Sequence, residues 1–187
     1  MKLSMRTIAL AAIVSALAAC AHVTPHYGMS SANIEAIRQV AGPAPQKVSV
    51  GTFTAWKPNV VSYMCRGAGS VGTPDHEPFS LYIQNALTDE LKAGGVYAAD
   101  SPVRIDGNLD YIVFDSNVLH GKWTIDLTVS GAASGPVKLH ENYEFSTNWV
   151  ADRACAQVAE ALQPSVQDLL AKLYASPAFK AMVTGAK

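Results

Sequence analysis

The sequence predicts a two-layer α+β domain in which two main helices cover one face of an antiparallel sheet. Three observations support this prediction: an amphipathic helical segment, three consecutive segments that alternate apolar and polar residues, and a long helical segment after them. The joins between the alternating segments are short enough for hairpins, which favours a meander with one buried and one polar face. The predicted order of the main elements is β-α-β-β-β-α.

The first part of the domain contains a short helix, a strand and the amphipathic helix. Residues 31–42 read SANIEAIRQVAG, in which Ser31 is a candidate cap and the final glycine a stop signal. Alternation in QKVSVGTFTAW predicts a strand at about 47–55, and NVVSYMC at 59–65 is a candidate for a further strand. Residues 78–95 place apolar side chains on one helical face and end in two glycines, so we expect a helix here.

The meander is predicted from residues 102–114, 122–130 and 137–145. In each segment the apolar side chains fall on odd-numbered positions and polar side chains fall between them, as in a strand with one buried face. The apolar positions are Val103, Ile105, Leu109, Tyr111 and Val113, then Trp123, Ile125, Leu127 and Val129, then Val137, Leu139, Tyr143 and Phe145.

The last helical segment covers residues 151–179, and its apolar residues repeat at a spacing that places them on one side of a helix. Pro164 lies inside it and has no amide hydrogen to donate, which predicts a kink. Two helices meeting at Gln163 is the alternative.

Composition excludes some partners before any motif is considered. The chain has 187 residues, of which 49% are hydrophobic and 16% charged, as expected of one globular domain with a real core. Lysine and arginine number 14 against 15 aspartates and glutamates, so the chain lacks the basic surplus that binds phosphate backbones. We therefore expect no nucleic-acid partner.

The N-terminus has the pattern of a secretory signal. Lys2 and Arg6 precede the apolar run from Ile8 to Leu17, and small residues follow it. The run is shorter than the ~20 apolar residues that a transmembrane helix needs. Cleavage would remove two basic residues and no acidic one, which leaves a mildly acidic mature protein.

The residues that follow, Leu17-Ala18-Ala19-Cys20, resemble the lipobox of bacterial lipoproteins. The resemblance implies cleavage before Cys20, a diacylglyceryl group on its thiol and an acylated amine, hence a membrane anchor of fatty acyl chains such as palmitate. Several chains are needed because each buried CH₂ contributes only about 0.8 kcal/mol. Ala21 is not the aspartate that retains many such lipoproteins at the inner membrane, so the resemblance implies the periplasmic face of the outer membrane.

These features divide the chain into three parts. Residues 1–19 form the lipoprotein signal peptide, residues 20–30 a lipidated tether rich in turn formers, and residues 31–187 a single α+β domain. The other two cysteines, Cys65 and Cys155, fall in this domain. An exported chain folds in an oxidising compartment, so we expect them to form a disulfide, with two buried free thiols as the alternative.

Motifs that suggest cofactor or metal chemistry are weak. GAGSVG at 67–72 fits the spacing of a dinucleotide-binding loop, but Thr and Pro follow it where a helix should start, so we interpret it as a flexible loop. The DHE run at 75–77 and the pair His22 and His26 do not present convergent ligands. His120 falls in a hairpin loop. We expect neither a cofactor nor a metal.

The polar sheet face is the best place to look for chemistry. It carries Asp106, Asp110, Asp126, Lys138, His140 and Glu144. G-x-S-x-G, H-E-x-x-H and the P-loop pattern are absent, whereas paired carboxylates of the kind that cleave glycosides come together only in the fold. A solvated face of mixed charge is the alternative.

The layout from Pro78 onward resembles small bacterial envelope lipoproteins. YIQNALTDELKAGGVY leads into RIDGNLDYIVFDS, a meander and a terminal helix. A looser similarity links it to the auxiliary lipoproteins of ABC-type transport and lipid-trafficking systems, with no diagnostic motif and no functional residue to transfer. We expect a non-enzymatic binding or assembly component with an envelope protein partner. An envelope hydrolase that uses carboxylates of the polar face, and a periplasmic lipid carrier, are the alternatives.

Overall fold

The structure, a computed structural model, describes residues 21–131 and 134–185. Within these residues the chain forms four α-helices and two sheets, and the predicted α+β fold is confirmed. The strands are β1 (His22–Val23), β2 (Ser49–Ala55), β3 (Ser62–Met64), β4 (Ser70–Gly72), β5 (Arg104–Ser116), β6 (His120–Gly131) and β7 (Ser134–Ser146). The helices are α1 (Ser31–Ala41), α2 (Phe79–Ala93), α3 (Ala151–Tyr174) and α4 (Pro177–Thr184), and a 3₁₀ turn spans Pro74–His76.

The main sheet has the strand order β2-β5-β6-β7. Strands β5, β6 and β7 form the antiparallel meander that the alternating segments predict. Strand β2 pairs with β5 in parallel, so the sheet is mixed and not wholly antiparallel. The reason is the connection: the chain passes through α2 between these strands, and such a crossover returns it to the same end of the sheet. The small sheet has the order β1-β4-β3.

The core lies between the main sheet and helices α2 and α3. All four predicted inward positions of β6 are fully buried. The ring of Trp123 packs 6.0 Å from Phe79 and 5.1 Å from Phe114, and its indole N–H donates a hydrogen bond to the carbonyl of Val158 at 2.9 Å. This bond satisfies the single polar group of the largest buried side chain and ties β6 to α3.

A β-bulge in β5 overturns part of the predicted alternation. Leu109 pairs with Leu127, but the next pair is Tyr111 with Asp126, so Asp110 is an extra residue on β5. An extra residue shifts every later side chain to the opposite face. Tyr111 is therefore exposed, and Ile112 enters the core in its place.

The helices follow the predictions with one shift, one choice between alternatives and one additional break, because the segment predicted as helical to residue 179 ends as α3 at Tyr174 and α4 begins at Pro177. The hydroxyl of Ser30 accepts a hydrogen bond from the amide of Asn33 at 3.3 Å, so Ser30 and not Ser31 caps α1. Pro164 lies inside a single helix, α3, which excludes the two-helix alternative at Gln163. No helix among the described residues is long and apolar enough to cross a membrane.

The segment predicted as a tether lies against the domain. His22 pairs with Val71 of β4, and the amide of Gly28 donates to the side chain of Gln163 on α3 at 3.1 Å. The glycine and proline of this segment predicted a free linker. In the structure, its polar groups form hydrogen bonds with helices of the domain and with the small sheet. Residues 22–28 are therefore packed against the rest of the domain.

Candidate functional site

The face of the main sheet opposite α2 and α3 is mostly polar, with Tyr111 and Val113 as apolar members beyond the bulge, and no described element packs on it. We call it the open face, and its central residues are Asn108, Asp110, Thr124, Asp126, Thr128, Lys138, His140, Asn142 and Glu144. Of the six residues predicted for the polar face, all but Asp106 belong to this set, and Asp106 lies on the same face nearer the start of β5, paired with Arg104 at 2.6 Å.

The register of the strands places polar side chains opposite one another. Asp126 faces His140 across β6 and β7, and their nearest atoms, Oδ1 and Nδ1, are 2.5 Å apart. Four residue pairs further along the same two strands, on the same face, Lys122 lies opposite Glu144. Cross-strand pairs of this kind contribute roughly 0.2–1 kcal/mol each, which stabilises the sheet without burying the charges.

Hydrogen bonds join these side chains into two groups, one on each side of Asp126. The His140 Nε2 atom lies 2.7 Å from the amide nitrogen of Asn142, and the hydroxyl of Thr124 donates to the carbonyl oxygen of Asn142 at 2.9 Å. On the other side of Asp126, the carboxylate of Asp110 accepts from the hydroxyl of Thr128 at 2.6 Å. The open face is therefore a preordered layer of polar groups.

The β-bulge places Asp110 within this layer. The amide of Asn108 also donates to its carboxylate, at 2.5 Å, so two neighbours on different strands orient one acid. A shallow groove of about 370 Å³ follows Asp110, Asp126, Lys138 and His140. The arrangement presents both acceptors and donors to a second surface.

This geometry offers little for acid–base catalysis. An Asp–His pair can orient an imidazole as a general base when the second ring nitrogen faces the substrate. Here both nitrogens of His140 have partners, Asp126 and Asn142. The side chain of His140 is also 57% exposed, where water competes with the pair.

The cysteine pair lies at the end of the sheet where α3 begins. The sulphur atoms of Cys65 and Cys155 are 2.05 Å apart, the distance of a disulfide bond, and both residues are buried. The bond joins the turn after β3 to the start of α3 across a sequence separation of 90 residues. Cys20, the predicted lipidation site, lies outside the described residues.

The remaining sequence candidates do not converge. Residues 70–72 of GAGSVG form β4, and Gly67 and Gly69 have positive φ in the turn before it, so the glycines shape a turn. His22 lies 3.5 Å from Asp152, whereas His26 lies 3.8 Å from Asp75, so the two histidines have different neighbours. Within the described ranges no three potential metal ligands are grouped.

Sequence reasoning missed a buried carboxylate that holds the N-terminal segment. Glu90 of α2 is fully buried and accepts hydrogen bonds from the hydroxyls of Tyr27 and Tyr174 at 2.7 and 2.9 Å, and from the amide of Ser30 at 2.9 Å. Burial, followed by the charge of Glu90, raises the pKa of both tyrosines. A signal was present, because Glu90 follows Leu87 by three residues on the apolar face of α2.

Comparison with known proteins does not assign the chain to a family. No protein-family model matches the chain, and no curated protein matches it significantly.

Proposed function

We propose that the protein is a membrane-anchored envelope lipoprotein that acts as a non-enzymatic binding or assembly component. Cys20 carries the acyl anchor, and the open face is the surface that meets an envelope protein partner. A role auxiliary to a transport or lipid-trafficking system fits the looser sequence resemblance.

The anchor and the compartment are supported by sequence and structure together. The lipobox predicts acylation of Cys20, and the Cys65–Cys155 pair at bonding distance is typical of a chain that folds in an oxidising compartment. Once Cys20 is lipidated, both other cysteines have a partner, so no thiol remains free. The outer membrane is the expected site because Ala21 follows the cysteine.

The open face is the observation that carries the binding role. Its side chains are oriented by one another before any partner arrives, so little side-chain entropy is lost on binding. The open face carries three carboxylates, those of Asp110, Asp126 and Glu144, together with the ammonium group of Lys138, which favours a protein partner with complementary charges over a polyanion such as nucleic acid.

The two alternatives have less geometric support. For a hydrolase, both ring nitrogens of His140 are already engaged. For a lipid carrier, the enclosed apolar cavity lined by Trp56, Tyr63 and Phe79 has a volume of only about 10 Å³, and the larger groove of about 420 Å³ beside Phe53, Pro78 and Leu81 is open to solvent. Both observations favour a protein-binding surface over a catalytic site or a lipid-binding pocket.

Site-specific photo-crosslinking in intact cells tests the binding role. A photoreactive residue replaces Lys138 or Glu144 on the open face, and the matched control replaces the exposed Glu35 on α1. We expect the same protein adduct from both open-face positions and none from Glu35. No adduct at either open-face position, or the same adduct from all three positions, would contradict the proposal.

A further inference from the structure

An exposed apolar cluster lies at the end of the domain where α3 begins. It consists of Val118 and Leu119 in the β5–β6 turn together with Trp149 and Val150 before α3, and we call it the apolar tip. Trp149 is 77% exposed, the highest value among the large apolar side chains that the structure describes as exposed. Exposing four neighbouring apolar side chains is unfavourable in water unless something covers them.

Hydrogen bonds hold the two loops of the apolar tip side by side. The amide of Thr147 donates to the carbonyl of Leu119 at 3.2 Å, and the hydroxyl of Thr147 donates to the carbonyl of Asn117 at 2.6 Å. The guanidinium of Arg66 donates to the carbonyls of Asn117 and Asn148, one from each loop. The neighbouring Cys65–Cys155 bond attaches this arrangement to α3. The apolar tip is therefore preformed.

The start of the described chain lies at the same end of the domain. His22 lies 3.5 Å from Asp152, two residues after Val150. From there the segment runs along α3, because Gly28 meets Gln163 eleven residues further along that helix. Two peptide links join His22 to Cys20, a chain length of about 7 Å. The proposed acyl anchor therefore leaves the domain beside the apolar tip.

The charges around the apolar tip do not favour a charged protein partner over lipid. Asp115 and Asp152 near the tip are balanced by Arg66 and Arg153, so no surplus of one sign selects an acidic or basic partner. Tryptophan is enriched at membrane–water interfaces, where its ring is apolar and its N–H stays hydrated. An anchor joined to His22 by two peptide links also holds the tip at a high effective concentration against lipid.

We infer that the apolar tip inserts into the surface of the bilayer to which Cys20 is anchored, with Trp149 at the interface. The inference rests on the proposed function, since it takes the acyl chains on Cys20 as the anchor. It fixes the orientation of the domain: α3 stands with its N-terminal end on the membrane, and the strands of the sheet rise from the bilayer. The open face is then turned sideways, accessible to a partner on the same membrane.

Depth-dependent quenching by brominated lipid tests this orientation. The full mature lipoprotein is reconstituted in phosphatidylethanolamine–phosphatidylglycerol vesicles, with or without brominated phosphatidylcholine. Trp56→Phe leaves Trp149 as the exposed reporter, and Trp149→Phe leaves Trp56 as the matched control. Trp56 is level with Leu109, seven residues before Ser116 along β5, which is roughly 23 Å from this end of the sheet. The buried Trp123 is common to both proteins.

We expect brominated lipid to remove more emission from the Trp56→Phe protein than from the Trp149→Phe protein. Replacing both Val118 and Leu119 with serine in the Trp56→Phe background should reduce that loss. Equal losses, or no loss, in acylated protein would overturn the inference alone, and this is the result expected if the tip docks onto an envelope protein and does not enter lipid. Intact mass of the same sample shows whether Cys20 is acylated, and an unmodified Cys20 would overturn the proposed function as well.

Discussion

Removal of the Cys65–Cys155 bond should destabilise the domain by about 4–5 kcal/mol. The bond closes a loop of 90 residues that contains β4, α2 and strands β5 to β7. In the chain-entropy model, about 2.1 cal/mol/K plus 1.5R ln n of denatured-state entropy is lost on closing a loop of n residues, which for this loop gives about 4.6 kcal/mol at 25 °C. The magnitude is a large fraction of the 5–15 kcal/mol by which domains are typically stable.

The perturbation is the double variant Cys65→Ala and Cys155→Ala. Alanine avoids placing a hydroxyl at two fully buried positions, so the lost cross-link dominates the change. Urea unfolding followed by Trp123 fluorescence measures the free energy of unfolding, because the indole is buried and becomes hydrated on unfolding. The unmutated protein treated with reductant is the control and should lose a similar amount.

Two results would refute this reasoning. One is a loss of less than about 0.5 kcal/mol, which is the range of an exposed substitution. The other is the detection of two free sulphydryls in the folded, non-reduced mature protein, which would restore the alternative of buried thiols.

Three further substitutions and one control test the packing, the buried Glu90 and the surface residue Asp168. Gly107→Ala should cost about 1–3 kcal/mol in urea unfolding, because a Cβ there would lie 2.6 Å from the Phe53 ring, whereas Gly135→Ala, with nothing within 4 Å, should be close to neutral. Glu90→Ala should cost about 3 kcal/mol or more, since it leaves several buried donors unpaired, and a loss within 0.5 kcal/mol would contradict the buried network. Asp168→Asn should stabilise the domain at pH 7 and have no effect near pH 3. Burial and a neighbouring glutamate raise the pKa of this carboxyl in the folded state, so its charged form is destabilised there. The same effect on stability at both pH values would refute this prediction.

The helices and the meander could be predicted because each depends on a local period. Strand β6 alternates Trp123, Ile125, Leu127 and Val129 without interruption, and all four are buried. The pairing of β2 with β5 depends on a crossover and has no signature in either strand. The bulge at Asp110 likewise could not be placed from the sequence, because residues 111–114 are all apolar and fit either choice of face.

The open face was partly predictable, and the N-terminal packing was not. Asp126 and His140 lie on the polar positions of their strands, so their shared face followed from the period of two. Their distance depends on register, which the sequence does not specify. Residues 22–30 lack any period, and their place depends on Glu90, a buried charge that becomes favourable only once Tyr27 and Tyr174 are nearby.

The central claim is that the protein is anchored to an envelope membrane through Cys20. The most direct test is the intact mass of the protein extracted from bacterial membranes, together with the mass of its N-terminal peptide. We expect a chain that begins at Cys20 and carries a diacylglyceryl group and an amide-linked acyl chain. A chain that retains Met1, or one that begins elsewhere with an unmodified Cys20, would contradict it.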